Sequence, residues 1–130
     1  MDSIQFLTRK EVTCQDLLSC LYNLKPIDLE VFLKVAKNQW ATLDQIAEKV
    51  QRDRSSTHRC LAKLVSAGII HKQSQGLKGG GYYHIYAIVE PTKIKKQAKQ
   101  KVKDITDSLQ ALIDNFDTDL QRHLIDETPN

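Results

Sequence analysis

Two runs decide how this chain folds: Thr42-Leu-Asp-Gln-Ile-Ala-Glu-Lys-Val50 and Ser55-Ser-Thr-His-Arg-Cys-Leu-Ala-Lys-Leu-Val-Ser-Ala67. Between them stands the polar break Gln51-Arg-Asp-Arg54, and Gly68 stops the second. In the first run Leu43, Ile46, Ala47 and Val50 recur at helical spacing. Thr42 and Gln45 have the spacing of a capping box, each side chain satisfying the other's free backbone N–H. In the second run Asp53 is placed as the N-cap, and Thr57, Leu61, Leu64 and Val65 fall on one side. Ile69 to Gln75 and Tyr82 to Val89 then read as strands around Gly76-Leu-Lys-Gly-Gly-Gly81, whose glycines admit positive φ. Helix, short turn, helix and hairpin predict a mainly α fold with a small β-hairpin wing (α+β), a winged helix-turn-helix.

The other side of the second run collects Ser55, Ser56, Arg59, Ala62, Lys63 and Ser66, with His58 and Cys60 on the flanks and no acid. Small side chains let a helix sink into the major groove of double-stranded DNA, which is about as wide as a helix. Arg59 is the candidate for a bidentate contact to guanine, while Ser55 and Ser56 sit where helix N-termini meet phosphate. A polar solvent-facing helix that lacks acids by chance is the plain alternative. Against it stands the coincidence of turn, glycine stop and hairpin around the same run.

Upstream, Thr8-Arg-Lys-Glu11 has capping-box spacing, and Val12, Cys14, Leu17, Leu18, Leu21 and Leu24 follow, predicting a helix near residues 9–23. Pro26 suits the first turn of a second helix, about 26–37, whose core stripe is Ile27, Val31, Phe32, Val35 and Ala36. Trp40 is expected to plug the core edge beside the wing. In the second strand Tyr83, Ile85, Ala87 and Val89 alternate with Tyr82, His84, Tyr86 and Ile88. One row is expected to pack inward and the other to present polar-tipped aromatics.

After Glu90-Pro91 neither proline nor glycine occurs until Pro129. Val102, Ile105, Leu109, Leu112 and Phe116 follow a 3-4-3-4 spacing, extended by Ala98, Leu120 and Leu124. A helix of about 30 residues, roughly 45 Å long, cannot bury such a stripe on a small winged domain, so a second copy is its expected partner. Packing back onto Val12–Leu24 is the alternative. Lys93, Lys95, Lys96, Lys99, Lys101 and Lys103 come first and Asp104 to Asp119 later, a polarity that suits antiparallel pairing or, differently, lysines on DNA phosphate. The expected divisions are 1–24 as a packing helix on the core and dimer interface, 25–90 as the winged domain, 91–125 as the dimerisation helix and 126–130 as a disordered tail.

From Leu24 to Val89 the chain resembles the winged helix-turn-helix domains of TrmB-type and MarR-type regulators, common in archaea. The residues that carry the likeness are Leu24-x₄-Leu29-Glu-Val-Phe32, Ala41 to Val50, Asp53 to Leu64 and Ala67-Gly-Ile-Ile70. Gln51-Arg52 departs from it, since these families usually carry small or apolar residues in the turn. The resemblance implies a homodimeric transcriptional regulator, with recognition helix 54–67 in the major groove and wing 71–88 on the backbone or minor groove. The candidate DNA contacts are then Arg54, Ser55, Ser56, His58, Arg59, Lys63, Lys72 and Lys78. The large sugar-binding domain of longer TrmB regulators has no counterpart, so their ligand is not carried over and any small-molecule effector stays unspecified.

Composition narrows the classes. The chain has 130 residues, 41% hydrophobic and 27% charged, with a mean hydropathy of −0.42, which suits one small domain with an appendage. No apolar run approaches the ~18 residues of a membrane span, and Met1-Asp-Ser-Ile-Gln lacks a signal-peptide pattern, so a cytoplasmic protein is expected. The net charge of +3 is divided into +9 over residues 1–103 and −6 over 104–130. Cys14, Cys20 and Cys60 are too few and too irregular for a disulfide framework or zinc finger. Cys14 and Cys20 are expected as small apolar core residues, a thiol or metal sensor being their second reading. Gly76-x₄-Gly81 is followed by Tyr82-Tyr83 where a phosphate-binding loop needs Lys-Ser/Thr. No catalytic constellation, cofactor or metal set is expected. The rivals to gene regulation are a winged helix used for protein–protein assembly within a transcription complex and a chromatin-like coating of DNA.

Overall fold

The computed structural model describes residues 12–126. Its elements in chain order are α1 (Cys14–Leu21), α2 (Pro26–Lys37), β1 (Ala41–Thr42), α3 (Leu43–Val50), α4 (Arg54–Ser66), β2 (Ile70–Gly76), β3 (Tyr82–Ile88), α5 (Pro91–Asp114) and α6 (Phe116–Asp126). The described residues fall into two compact units, 12–94 and 95–126.

Local chemistry sets most helix ends. Thr13 caps α1, its Oγ1 accepting from the Asp16 N–H while the Asp16 carboxylate accepts from the Thr13 N–H. The box expected at Thr8 and Glu11 lies outside the described residues. Pro26 opens α2, and the Asp28 carboxylate accepts the Lys25 N–H at 2.9 Å. The box of Thr42 and Gln45 forms as expected, with N–H···O distances of 2.9 and 3.2 Å. α4 closes with the Gly68 N–H on the Val65 carbonyl and the Ile69 N–H on the Leu64 carbonyl, a Schellman motif. Gly68 has φ +80°, which only a residue without Cβ adopts freely.

In the first unit α2, α3 and α4 pack around Val31, Val35, Ile46, Leu61, Leu64 and Ile69. The antiparallel sheet has the order β1-β3-β2, with Ala41 opposite Tyr86 and Ile70 opposite Ile88. The two-residue strand β1 was not foreseen, and it changes two expectations. β3 becomes a central strand, and at its base both Tyr86 and Ala87 are buried while Tyr82 and Tyr83 at the far end are exposed. The expected split into an inward and an outward row therefore fails for Tyr86, because strand base and strand tip differ more than the two faces do. Trp40 does not plug the core. Its backbone is left-handed at φ +64°, its N–H donates to the Tyr86 carbonyl at 2.7 Å, and its side chain is 46% exposed. The turn from α2 into β1 leaves the indole outside.

Of the thiols, Cys60 is buried, Cys20 is half-buried and Cys14 is exposed, so Cys14 is not the core residue expected. In the second unit the single helix expected over 91–125 is interrupted at Asn115. Asn115 Nδ2 donates to the Ala111 carbonyl at 2.9 Å and Asp117 accepts from the Thr118 N–H, side-chain bonds that compete with the helical ladder. Asp117 and Asp119 then sit in the first turn of α6, where negative charge is favoured. The tail was expected from residue 126, but Asp126 ends α6, and 127–130 lie outside the described residues.

Candidate nucleic-acid interface

At about 100° per residue, Ser55, Arg59, Ala62 and Ser66 fall within an arc of about 60° on α4. All four are exposed, whereas Thr57, Cys60, Leu61 and Leu64 on the opposite side are buried. Thr57 caps inward, its hydroxyl donating to the Asp53 carbonyl at 2.9 Å. Asp53 takes the N-cap position by its extended backbone, without a side-chain cap hydrogen bond. Arg59 Nη2 donates to Ser56 Oγ at 3.3 Å, a weak tether between neighbours on one helix. The only acid acting on the guanidinium among the described residues is Asp53, an exposed neighbour whose carboxyl it helps to hold below the ordinary range without a direct ion pair.

Arg54 is less free. Its Nε donates to Asp44 on α3 at 2.8 Å, but both side chains are exposed. Such pairs are worth at most about 1 kcal/mol, so an incoming phosphate can replace the carboxylate. His58 lies on the flank facing the wing, lining one cleft with Tyr83 and His84 and another with Lys72 and Ser66. Lys72 is exposed on β2 and Lys78 at the wing tip. The tip is ordered by the Leu77 N–H on the Gly81 carbonyl at 3.0 Å and the Gly80 N–H on the Leu77 carbonyl at 3.2 Å. Gly79, Gly80 and Gly81 all have positive φ, as that turn requires.

Lys63 departs from its expected place. The sequence put it on an acid-free face, yet α2 brings Asp28 to it, and Nζ donates to Asp28 Oδ2 at 2.6 Å. Asp28 is 4% exposed. Burial opposes its ionisation, but hydrogen bonds from Lys63, the Lys25 N–H and the Cys60 thiol outweigh it and hold the carboxyl below its ordinary range. The same cluster pushes the Cys60 thiol up to about 11, first through burial and then through Asp28. Lys63 thus ties α4 to α2 and is not a free cation. The signal in the sequence was Asp28 at the third position of a proline-opened helix, of which only Pro26 and the apolar stripe were read.

In the second unit the stripe Val102, Ile105, Leu109, Leu112, Phe116, Leu120 and Leu124 is exposed along its whole length. Nine of the fourteen large apolar side chains exposed among the described residues lie between Val102 and Ile125. An isolated helix with such a stripe lacks the packing that sustains helices in water. Among the described residues no group of three or more His, Cys, Asp or Glu side chains is placed to hold a metal, and no helix is long and apolar enough to cross a membrane.

Residues 18–92 match the family described as "Sugar-specific transcriptional regulator TrmB". An uncharacterised protein of Methanocaldococcus jannaschii, MJ1503, is 27% identical over 105 residues, covering 81% of this chain and 80% of that protein. A possible transcriptional regulator from Methanosarcina mazei Go1 superposes with a TM-score of 0.71 at 28% identity, over 83% of this chain and 92% of that one. The ST1889 protein of Sulfolobus tokodaii shares the fold, with a TM-score of 0.60 at 18% identity over 73% of this chain and 93% of that one.

Proposed function

The chain belongs to the TrmB family of transcriptional regulators, and on that premise we propose that it binds double-stranded DNA sequence-specifically as a homodimer. The observation that carries this reading is the exposed arc of α4, where Ser55, Ala62 and Ser66 leave room for close approach and Arg59 supplies the long cation. α4 enters the major groove, Arg59 reads guanine through its O6 and N7, and Arg54, Ser55, Ser56 and His58 contact the adjoining backbone. Lys72 and Lys78 bring the wing to phosphate or the neighbouring minor groove. Lys63 keeps a place at the interface only through its methylene stem, its ammonium being held by Asp28.

Homodimerisation follows from the stripe on α5 and α6, which a second copy would cover with the same residues. Antiparallel pairing of these helices opposes the lysine-rich part, 93–103, to the aspartate-rich part, 104–119. Two recognition helices about 34 Å apart then meet successive major grooves of a roughly palindromic site. A regulator of this kind works in the cytoplasm. The sugar in the family's description is not carried over to this chain.

Selection of bound sequences from a random DNA pool at physiological salt tests the reading. An enriched inverted motif, bound by a species of twice the chain mass in sedimentation, is the expected result. Salt-dependent binding without an enriched motif means a DNA-coating protein, and no binding at all means a protein-assembly module.

A further inference from the structure

On the side of α4 away from the wing, a cleft lies between the start of α2 and the first turns of α4. Lys25, Arg52, Ser56, Arg59 and Lys63 line it, with Asp28 at its floor. Four cations face one carboxylate there, and that carboxylate is already bound to Lys63 and to the Lys25 N–H. Lys25 and Arg52 are exposed and make no ion pair with an acid among the described residues, while Arg59, also exposed, feels the nearby Asp53 carboxylate. Neither Lys25 nor Arg52 was read in the sequence as a DNA contact, since each sits in a connection and carries no periodicity; Arg52 was noted only as part of an unusual turn.

The angular order on α4 says what such a cleft can meet. His58 and Val65 fall about 60–80° to one side of the exposed arc, toward Lys72. Lys63 and Ser56 fall about 80–100° to the other side, inside the cleft. A helix seated in a major groove has a phosphate strand on each flank. The wing serves one flank, and the cleft opens on the other.

We infer that this cleft is a second phosphate seat, in which Lys25 and Arg52, with the Ser56 hydroxyl, hold the backbone strand opposite the wing. The inference rests on the DNA-binding reading above and adds to it the residues that fix the helix between two strands. Asp28 serves the seat indirectly. By occupying Lys63 it keeps the floor ordered and leaves Arg59 to the groove. A free phosphate ion has the same chemistry as a backbone phosphate and is the other possible occupant.

The test is binding of one duplex by the full chain over a range of salt, for wild type, Lys78→Gln as a wing control, and Lys25→Gln/Arg52→Gln. Each lost phosphate contact lowers the slope of log K against log salt by about 0.9, so the double variant should lose about 1.8. At 0.1 M salt that is a loss of about sixty-fold, equal on preferred and random sequences. The thermal midpoint should hold, because both side chains are exposed. An unchanged slope in the double variant alongside a reduced slope in Lys78→Gln overturns the second seat and leaves DNA binding standing. Wild-type binding without salt dependence overturns the DNA reading itself. Saturable binding of inorganic phosphate that the double variant loses, with its DNA slope unchanged, assigns the cleft to a free anion and overturns the backbone seat.

Discussion

Lys63→Met isolates what the contact between α2 and α4 contributes. In the folded chain the Asp28 side chain is 6% exposed, and its carboxylate accepts from the Lys63 ammonium at 2.6 Å and the Lys25 N–H at 2.9 Å. Removing one partner of a buried ion pair costs about 3–5 kcal/mol. Here the Lys63 side chain is itself 38% exposed and the Lys25 N–H remains, so water and one hydrogen bond still serve the carboxylate. The expected loss is about 2 kcal/mol, in the range for a hydrogen bond to a charged group. That corresponds to a shift of about 1 M in the urea midpoint at neutral pH. Adding Asp28→Asn should recover about half, because a neutral amide needs no counter-charge and its oxygen can still accept from Lys25. The pH dependence has a definite sign. The folded-state carboxyl is held below its ordinary value, so its contribution is complete above that value and is lost as pH falls through the lowered one. Urea titrations at pH 7 and at steps below the ordinary carboxylate range should therefore show the full penalty of Lys63→Met at pH 7 and a penalty that shrinks as pH falls through the lowered value. A change under 0.5 kcal/mol at pH 7, joined to weaker binding of every DNA sequence, would mean that Lys63 is a free interface cation.

Arg59→Ala should cost about 1–3 kcal/mol of affinity for a preferred duplex and much less for random DNA, flattening base preference at one position of each half-site in a competition assay. Leu109→Asp, in the middle of the exposed stripe, should convert the dimer to monomers in sedimentation while the circular dichroism of α2 to α4 persists. Cys60, buried and with its thiol raised to about 11, should resist an alkylating reagent at pH 8 that modifies the exposed Cys14 within minutes, as mass spectrometry of the folded chain would read.

The winged core was legible because its signals are local. Helical spacing of Leu43, Ile46, Ala47 and Val50, the Thr42 and Gln45 box and Gly68 at its left-handed stop each depend on residues within a few positions. All three stand in the structure. What could not be read required partners distant in sequence. The pairing of Lys63 with Asp28 spans 35 positions, and nothing along α4 hints at a carboxylate delivered by another helix. Strand β1 is two residues long, too short for any period, yet it makes β3 central and decides that Tyr86 is buried. Trp40 was expected at the core edge because a lone tryptophan is more often structural. Its left-handed backbone, set by the α2–β1 turn, overrode the usual preference of a large indole for the interior. Asn115 was passed over because helix breaking was sought at proline and glycine, whereas here a side-chain amide shares the Ala111 carbonyl with the backbone N–H at the point where the helix is interrupted. The second phosphate seat escaped for the same reason as the ion pair, since Lys25 and Arg52 meet only across the fold.

Methylation protection of guanine N7 on a selected duplex tests the placement of Arg59 most directly, because N7 is open only in the major groove. Protected guanines in two clusters about one helical turn apart, lost with Arg59→Ala while wing contacts persist, are the predicted pattern. Full binding with every guanine N7 still reactive, or protection that Arg59→Ala leaves unchanged, would contradict it.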